Sequence, residues 1–482
     1  MTDKVTIGAL LLVACAKGGM TAPPAAVVPP ALESDDVSVT CKPEAASEVR
    51  VVNALYDNGH PSEAASHLQR ALALDPDCAQ AIMIQAYQLE GAESAKLAER
   101  AHALATALPP AERDYVNAWY ELRVGHELPA IDLMRKASEA KPKDKRVLRQ
   151  RFELSVNRDW RQAEEASRQL VALDPNNPLF QNDFSFVELY LGNTELAVAA
   201  AQKEVELAPD EGNGYDTLGE ALIAAGKLSE ARAAFEKGLQ KSPPYPLLHD
   251  GVAYTCAYAH DWDGYHANML AARQALTRPY DVMANLESEA WAFAAQGDAT
   301  GLAATLSALD TAARKVGQSS PASEAAIAAS ILVAAGQPAD ASRRLASAHE
   351  AAEAAHLFGW EVADYRGAEA SARLHAASKQ HQAADAEKAY ADLAAVALTH
   401  PSTEVDRALR FQRSLVALAK GDMKGAAFDP SECSTLDAEC QFTMADLQRQ
   451  IGDKAAGAAA MARLKASPRR NGPYLYYWAT SK

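Results

Sequence analysis

Aromatic residues are scarce in this chain of 482 residues, at 7%, although hydrophobic residues reach 49%. Alanine supplies much of the difference; it favours helix and lets helices approach closely. Alternating runs of Val, Ile, Thr and Tyr, the pattern of half-buried strands, are hard to find. No apolar run approaches the ~18–20 residues of a transmembrane helix. Positive charge is in deficit, with 47 Lys and Arg against 63 Asp and Glu, a net charge of −16. Such a surface repels phosphate backbones and anionic lipid faces, which argues against nucleic-acid binding and against attachment through a basic patch. Phosphate loops, dinucleotide fingerprints and nucleophile elbows are missing, as is any C-x-x-C pair. The expectation is an all-α protein that is not an enzyme and uses no cofactor. Its length suits several domains or one long repeat array.

The N-terminus, "MTDKVTIGALLLVACAKGG", has a short polar start and an apolar core from Val5 to Ala14, followed by Cys15. That core is too short to span a bilayer but suits a signal peptide. Leu12-Val13-Ala14-Cys15 resembles the lipobox of bacterial lipoproteins. The resemblance implies that residues 1–14 are removed and that Cys15 carries lipid. The start departs from the usual pattern in carrying Asp3 beside Lys4. Residues 15–40 read as the lipidated cysteine and an Ala/Pro-rich tether, which cannot bury a core. Ala16, rather than aspartate, follows the cysteine; in lipoproteins of diderm bacteria that favours the outer membrane. An oxidising envelope would allow disulfides among the other cysteines. Cys433 and Cys440, in the helix-poor "DPSECSTLDAEC", form the candidate pair. A bridge there would close a short loop and contribute about 2.5 kcal/mol by chain entropy. Cys256 reads as a buried small hydrophobe.

Further along, a ladder recurs. Prolines stand at Pro76, Pro110, Pro142, Pro175, Pro209 and Pro243. Twelve residues before each lies an alanine: Ala64, Ala98, Ala130, Ala163, Ala197 and Ala231. A glycine precedes that alanine by five residues at Gly59, Gly125, Gly192 and Gly226. The glycine supplies a left-handed helix cap, the alanine a close helix crossing, and the proline a stop. A period of about 34 residues with this punctuation resembles tetratricopeptide repeats. Residues 215–243 carry the fullest signature: Tyr215, Leu218, Gly219, Leu222, Ala231, Phe235, Gly238 and Pro243. The resemblance is strong over residues 45–243 and looser beyond, where turn signals fall at Asp261, Gly297, Gly336, Gln380, Gly421 and Gly452. It implies a right-handed superhelical solenoid of about eleven antiparallel helix pairs. Residues 41–279 form the regular array. Residues 280–482 form a degenerate one, with the aromatic "GPYLYYWATSK" packing as a cap on the last helices.

In the family, one position of each first helix faces the concave groove. It lies 23 residues before each ladder proline, at Asn53, Tyr87, Trp119, Phe152, Phe186 and Glu220. A second row holds Tyr115, Leu148, Asn182 and Asp216. Aromatic side chains in a groove offer contact area at low entropy cost. The candidate binding residues are therefore Tyr87, Tyr115, Trp119, Phe152, Phe186, Asp216 and Glu220. The other reading of the same rings is inter-repeat core. Some members of the family clamp a C-terminal carboxylate with lysine and asparagine; here Lys145 stands alone, and that mode is not supported. His349, Glu353 and His356 in "HEAAEAAH" share a helix face, but the zinc-protease motif needs histidine where Glu353 stands. They read as a solvated face, and His260 and His266 as packing or surface around a turn.

The expected function is a membrane-anchored scaffold of the cell envelope, binding a protein or peptide through the concave groove. The alternatives are a module sensing a small molecule or glycan and, behind it, a metal hydrolase using the histidine helix.

Overall fold

A computed structural model describes residues 37–57, 61–89, 91–156, 158–241, 244–317, 320–355, 360–397, 403–433, 437–466 and 468–481. The expected lipidation site Cys15 lies outside these residues, as do Gly59, Pro243 and His356.

The architecture is all-helical, with no strand among the described residues. Among the described residues, eleven full helix pairs and one truncated pair pack side by side. The first five are Pro43–Asp57 with Pro61–Leu74, Ala79–Tyr87 with Gly91–Ala105, Pro110–Arg123 with Glu127–Ala140, Lys145–Ser155 with Trp160–Leu173, and Pro178–Leu191 with Thr194–Leu207. Gly212–Ala224 with Leu228–Gly238, Leu247–Tyr258 with Trp262–Ala275, and Pro279–Gln296 with Ala299–Val316 continue the array. The later pairs, Ser320–Ala334 with Pro338–Ala355 and Trp360–Lys379 with Ala383–Ala397, are longer. Thr403–Ala419 is followed only by the short Met423–Ala426, a pair whose second helix is cut off. Its chain is then tied by a Cys433–Cys440 disulfide to Ala438–Gln450, which pairs with Lys454–Ala466. A second disulfide joins Cys41 to Cys78, a pairing for which the sequence carries no signal, and Cys256 is a buried free thiol.

The local causes are those of the punctuation. All six ladder alanines are at most 1% exposed, at helix crossings where a larger side chain has no room. Gly125, Gly192 and Gly226 take φ of 88°, 86° and 73°, the left-handed conformation that ends a helix. Asp159 shows the opposite end. Its carboxylate accepts from the N–H groups of Arg161 and Gln162 and starts the helix that buries Ala163, Ala166 and Leu170 on one face. In the looser half, Gly297, Gly336, Gly421 and Gly452 keep positive φ, but two turns use histidine instead: His260 at 61° and His381 at 54°. The turns marked at Asp261 and Gln380 are therefore centred one residue away.

Where like helices of successive pairs pack on each other they are first helices, as for Pro178–Leu191 on Gly212–Ala224, Gly212–Ala224 on Leu247–Tyr258 and Ser320–Ala334 on Trp360–Lys379, whereas second helices do not to a comparable extent. Both ends of the described chain return to the array. Residues 37–41 lie across the starts of the second to fourth pairs, so the last four residues expected in the tether belong to the folded body. The terminal helix Gly472–Thr480 touches Ala438–Gln450, as a cap would. Its main seat, though, is Pro279–Gln296 in the middle of the chain, with Leu247–Tyr258 beside it. Trp478 stands edge-on to Tyr258 at 4.8 Å, and Tyr476 lies 5.7 Å from Trp291.

Candidate binding groove

The two rows expected on the concave face can be followed along the first helices, and they divide into an aromatic and an acidic sector. In the aromatic sector, Tyr87 meets Trp119 edge-to-face at 4.8 Å, and the Tyr87 hydroxyl donates to the Trp119 carbonyl at 2.8 Å. Burial pushes the Tyr87 phenol well above its ordinary value. Tyr115 is buried beneath the Arg146 guanidinium, 5.0 Å from the ring centre. Phe152 is 4% exposed and packs with Val156, Trp160 and Val187. Phe186 is half-buried, 4.5 Å from Tyr190 and 6.0 Å from Trp160. Trp119 and Phe186 keep partly open rings, whereas Tyr115 and Phe152 sit mainly in the packing between units. Lys145 is engaged by Asp174 at 2.7 Å.

The acidic sector begins at Asp216 and Glu220. Adding one repeat to each leads to Asp250 and Tyr254, and a further step to Asn285 and Glu289. These positions, missed in the sequence, continue the two rows at steps of 34 and 35 residues. Their occupant was missed as well. Arg470, from the turn before the terminal helix, enters this sector and holds Asp216 with both guanidinium ends, Nη2 to Oδ2 at 3.0 Å and Nη1 to Oδ1. Its guanidinium carbon lies 5.8 Å from the Phe235 ring centre. Burial opposes the Arg470 charge, but Asp216, Glu220 and Asp250 hold it firmly protonated. Arg469 reaches the Leu189 carbonyl at 3.2 Å, and its main chain exchanges hydrogen bonds with the Tyr258 hydroxyl. Two adjacent arginines ahead of an aromatic tail were the available signal, but nothing local says which carboxylates they meet.

Burial raises the Glu220 carboxyl, against the pull of Arg470. Asp250 is raised by burial from its ordinary 3.8 to about 7, although Arg470 and the amide of Asn285, at 2.8 Å, favour its ionised form. The folded state therefore binds a proton at Asp250 that the unfolded chain has released, and this group's contribution to stability falls as pH rises from about 4 to about 7. Asp183 and Glu204 are raised in the same direction, to about 6 and about 7. The expected result is that Asp250→Asn loses less stability than the parent between pH 5 and pH 8. Parallel melting curves across that range, or a steeper fall in the variant, would refute the assignment.

The exposed His349 imidazole lies 3.4 Å from the exposed Glu353 carboxylate on their helix. His260 occupies its turn, and His266 stacks on Phe293 at 4.3 Å.

No family model matches the chain. It is 29% identical over 96 residues to the small glutamine-rich tetratricopeptide repeat-containing protein 2 of Mycosarcoma maydis, covering 20% of this chain and 27% of that protein. It is 37% identical over 83 residues to the Hsp70-Hsp90 organizing protein of Triticum aestivum, covering 17% and 14%. The chain thus spans less than a third of the length of these relatives. Among solved structures, a thermophilic TPR protein of Thermus thermophilus overlays 36% of this chain and 94% of its own at 16% identity, with a TM-score of 0.31. The helix pairs and the buried alanine ladder describe one fold, an all-helical solenoid like that of tetratricopeptide repeats.

Proposed function

We propose that this chain is a membrane-anchored scaffold of the cell envelope that binds protein or peptide partners through its concave face. The observation that carries the binding reading is the partly open aromatic run, Trp119 beside Tyr87 and Phe186 beside Tyr190, on the inner side of the second to fifth pairs. The acidic sector is taken by Arg470, which leaves the aromatic one for a partner. Rigid rings on a preformed curve suit an extended peptide or a helix face. Relatives that share repeats with this chain include an Hsp70-Hsp90 organizing protein, which supports the scaffold reading by analogy only.

The test is crosslinking in the envelope with wild type and with Trp119→Ala plus Phe186→Ala. Loss of a protein partner is expected at unchanged expression and melting temperature; an unchanged partner list would remove the groove from the proposal. The anchoring reading rests on Leu12-Val13-Ala14-Cys15 and the Ala/Pro-rich run after it. A random coil of the length from Cys15 to Val37 would span roughly 25 Å. Cys15→Ser is expected to move the protein from the membrane to the soluble fraction. A variant that stays in the membrane with normal processing would rule the anchor out.

A further inference from the structure

Residues Val37-Ser38-Val39-Thr40 are held on the array as a peptide would be. Val37 is fully buried and Val39 is 8% exposed, both packed into the array's core. The intervening residues face a carboxylate: the Ser38 and Thr40 hydroxyls both donate to Glu112 Oε2, at 3.0 and 2.6 Å. The main chain is read too. The Thr40 N–H donates to Glu112 Oε1 at 2.8 Å and the Val37 N–H to Asp144 Oδ2 at 2.7 Å. Gln80 Nε2 donates to the Ser38 carbonyl at 2.7 Å and braces Glu112 Oε1 at 2.7 Å. These three array side chains are built into the fold: Gln80 is 2%, Glu112 1% and Asp144 2% exposed. Asp144 is further fixed by accepting the Val147 N–H as a helix cap.

The register is that of the repeat. Glu112 and Asp144 each stand two residues after a ladder proline, and so does Cys78, bonded to Cys41 at the end of the bound segment. One contact per unit therefore runs along the helix starts, apart from the aromatic rows.

We propose that Gln80, Glu112 and Asp144 form a second docking site, for a partner's extended segment that alternates apolar and hydroxyl-bearing residues. Residues 37–40 are its occupant in cis, and the Cys41–Cys78 disulfide latches them there. The chemistry of the occupant defines the class: apolar side chains at alternate positions, Ser or Thr between them, and main-chain N–H groups three residues apart. A phosphorylated hydroxyl is excluded, because it would face the Glu112 carboxylate. The latch opens with a dithiol reductant. One reductant thiolate attacks the half-exposed Cys41 sulfur, and the electron pair of the broken S–S bond leaves on Cys78, which takes a proton. The second reductant thiolate then attacks the reductant's own sulfur in the mixed disulfide, which closes the reductant's ring. The Cys41 thiolate is released and protonated. Two electrons pass from the reductant to the protein. The strap remains tethered at Lys42, so the partner competes with a local concentration in the millimolar range.

The test uses the full chain carrying Cys433→Ser and Cys440→Ser, so that a dithiol acts on one bond only. Hydrogen exchange is followed at residues 37–42, and anisotropy of a labelled Gly-Val-Ser-Val-Thr-Gly peptide is titrated to millimolar concentration. On reduction, exchange at Val37 and Thr40 is expected to accelerate at least ten-fold, with peptide binding to the reduced chain alone. Replacing the peptide's threonine by valine or by phosphothreonine should weaken binding about ten-fold or more, since each loses a hydrogen bond to a charged acceptor. Glu112→Ala should do the same, and the peptide changes report that contact even if this variant does not fold. Unchanged strap protection after reduction, equal binding to oxidised and reduced chains, or no binding to the reduced chain overturns the proposal. Equal binding of the phosphothreonine peptide overturns the role of Glu112. None of these outcomes bears on the Trp119 and Phe186 experiment.

Discussion

Replacing Arg470 by alanine is expected to destabilise the central array by about 3–5 kcal/mol, the cost of breaking a buried ion pair from one side. The Arg470 and Asp216 side chains are 15% and 10% exposed, so water screens them little. Removing the guanidinium leaves Asp216 without its ion-pair partner, and Glu220 and Asp250 without the charge that favours their ionised forms. The variant also loosens the seat of the terminal helix, because Arg469 and Arg470 lead directly into Gly472. A Cβ at Gly472 would overlap the Trp291 ring, so the chain has little latitude there. Urea unfolding followed by tryptophan fluorescence would report both effects, since Trp291 and Trp478 sit at this junction. Arg470→Lys should lose part of the same energy, because an ammonium keeps the charge but not the two-pronged fit. The double variant Arg470→Met, Asp216→Leu should cost less than the sum of its single changes, as the two side chains are in contact. A loss under about 0.5 kcal/mol for Arg470→Ala, the size of a surface substitution, would show that the tail is an ornament on the array rather than a part of it.

The residues of this junction explain how far the fold could be read in advance. Ala64 through Ala231 were legible because the physics that buries them is local and repeats: a helix crossing every 34 residues or so needs a small residue each time. Glycines at left-handed turns were legible for the same reason. His260 and His381 were not, since a non-glycine residue with positive φ leaves no periodic mark. The rows expected on the concave face could be counted as far as Glu220 because a proline set the register; beyond Pro243 the units lengthen and the count is lost. The contact of Arg470 with Asp216 spans 254 residues, and that of Tyr258 with Arg469 spans 211. No local pattern encodes such a pairing. The same holds for Val37 on Asp144, 107 residues away. Periodicity thus revealed the helix crossings, while the contacts of Arg470 with Asp216 and of Val37 with Asp144 each occur once.

Phe235 offers the sharpest test of the walls themselves. Its ring is fully buried, between two first helices, against the backbone of Gly219 on one side and of Gly251 on the other. Both glycines lie within helices, where glycine usually costs about 1 kcal/mol relative to alanine. A glycine-to-alanine change at an ordinary helix position should therefore stabilise. At Gly219 and Gly251 the sign is expected to reverse, because an added Cβ would overlap the Phe235 ring from either face. Phe235→Ala should be worse still, costing about 3–5 kcal/mol through lost burial and the cavity left between the helices. The two defects are complementary in shape. With Phe235→Leu in place, Gly219→Ala should destabilise by less than it does alone, because the branched side chain leaves space that the ring had filled. A double-mutant cycle at positions 219 and 235 reads this directly as a coupling of opposite sign to the single losses. If Gly219→Ala stabilises the parent chain, or the cycle closes without coupling, then Phe235 does not fill the crossing. The alanine and glycine pattern of this unit would then need another cause.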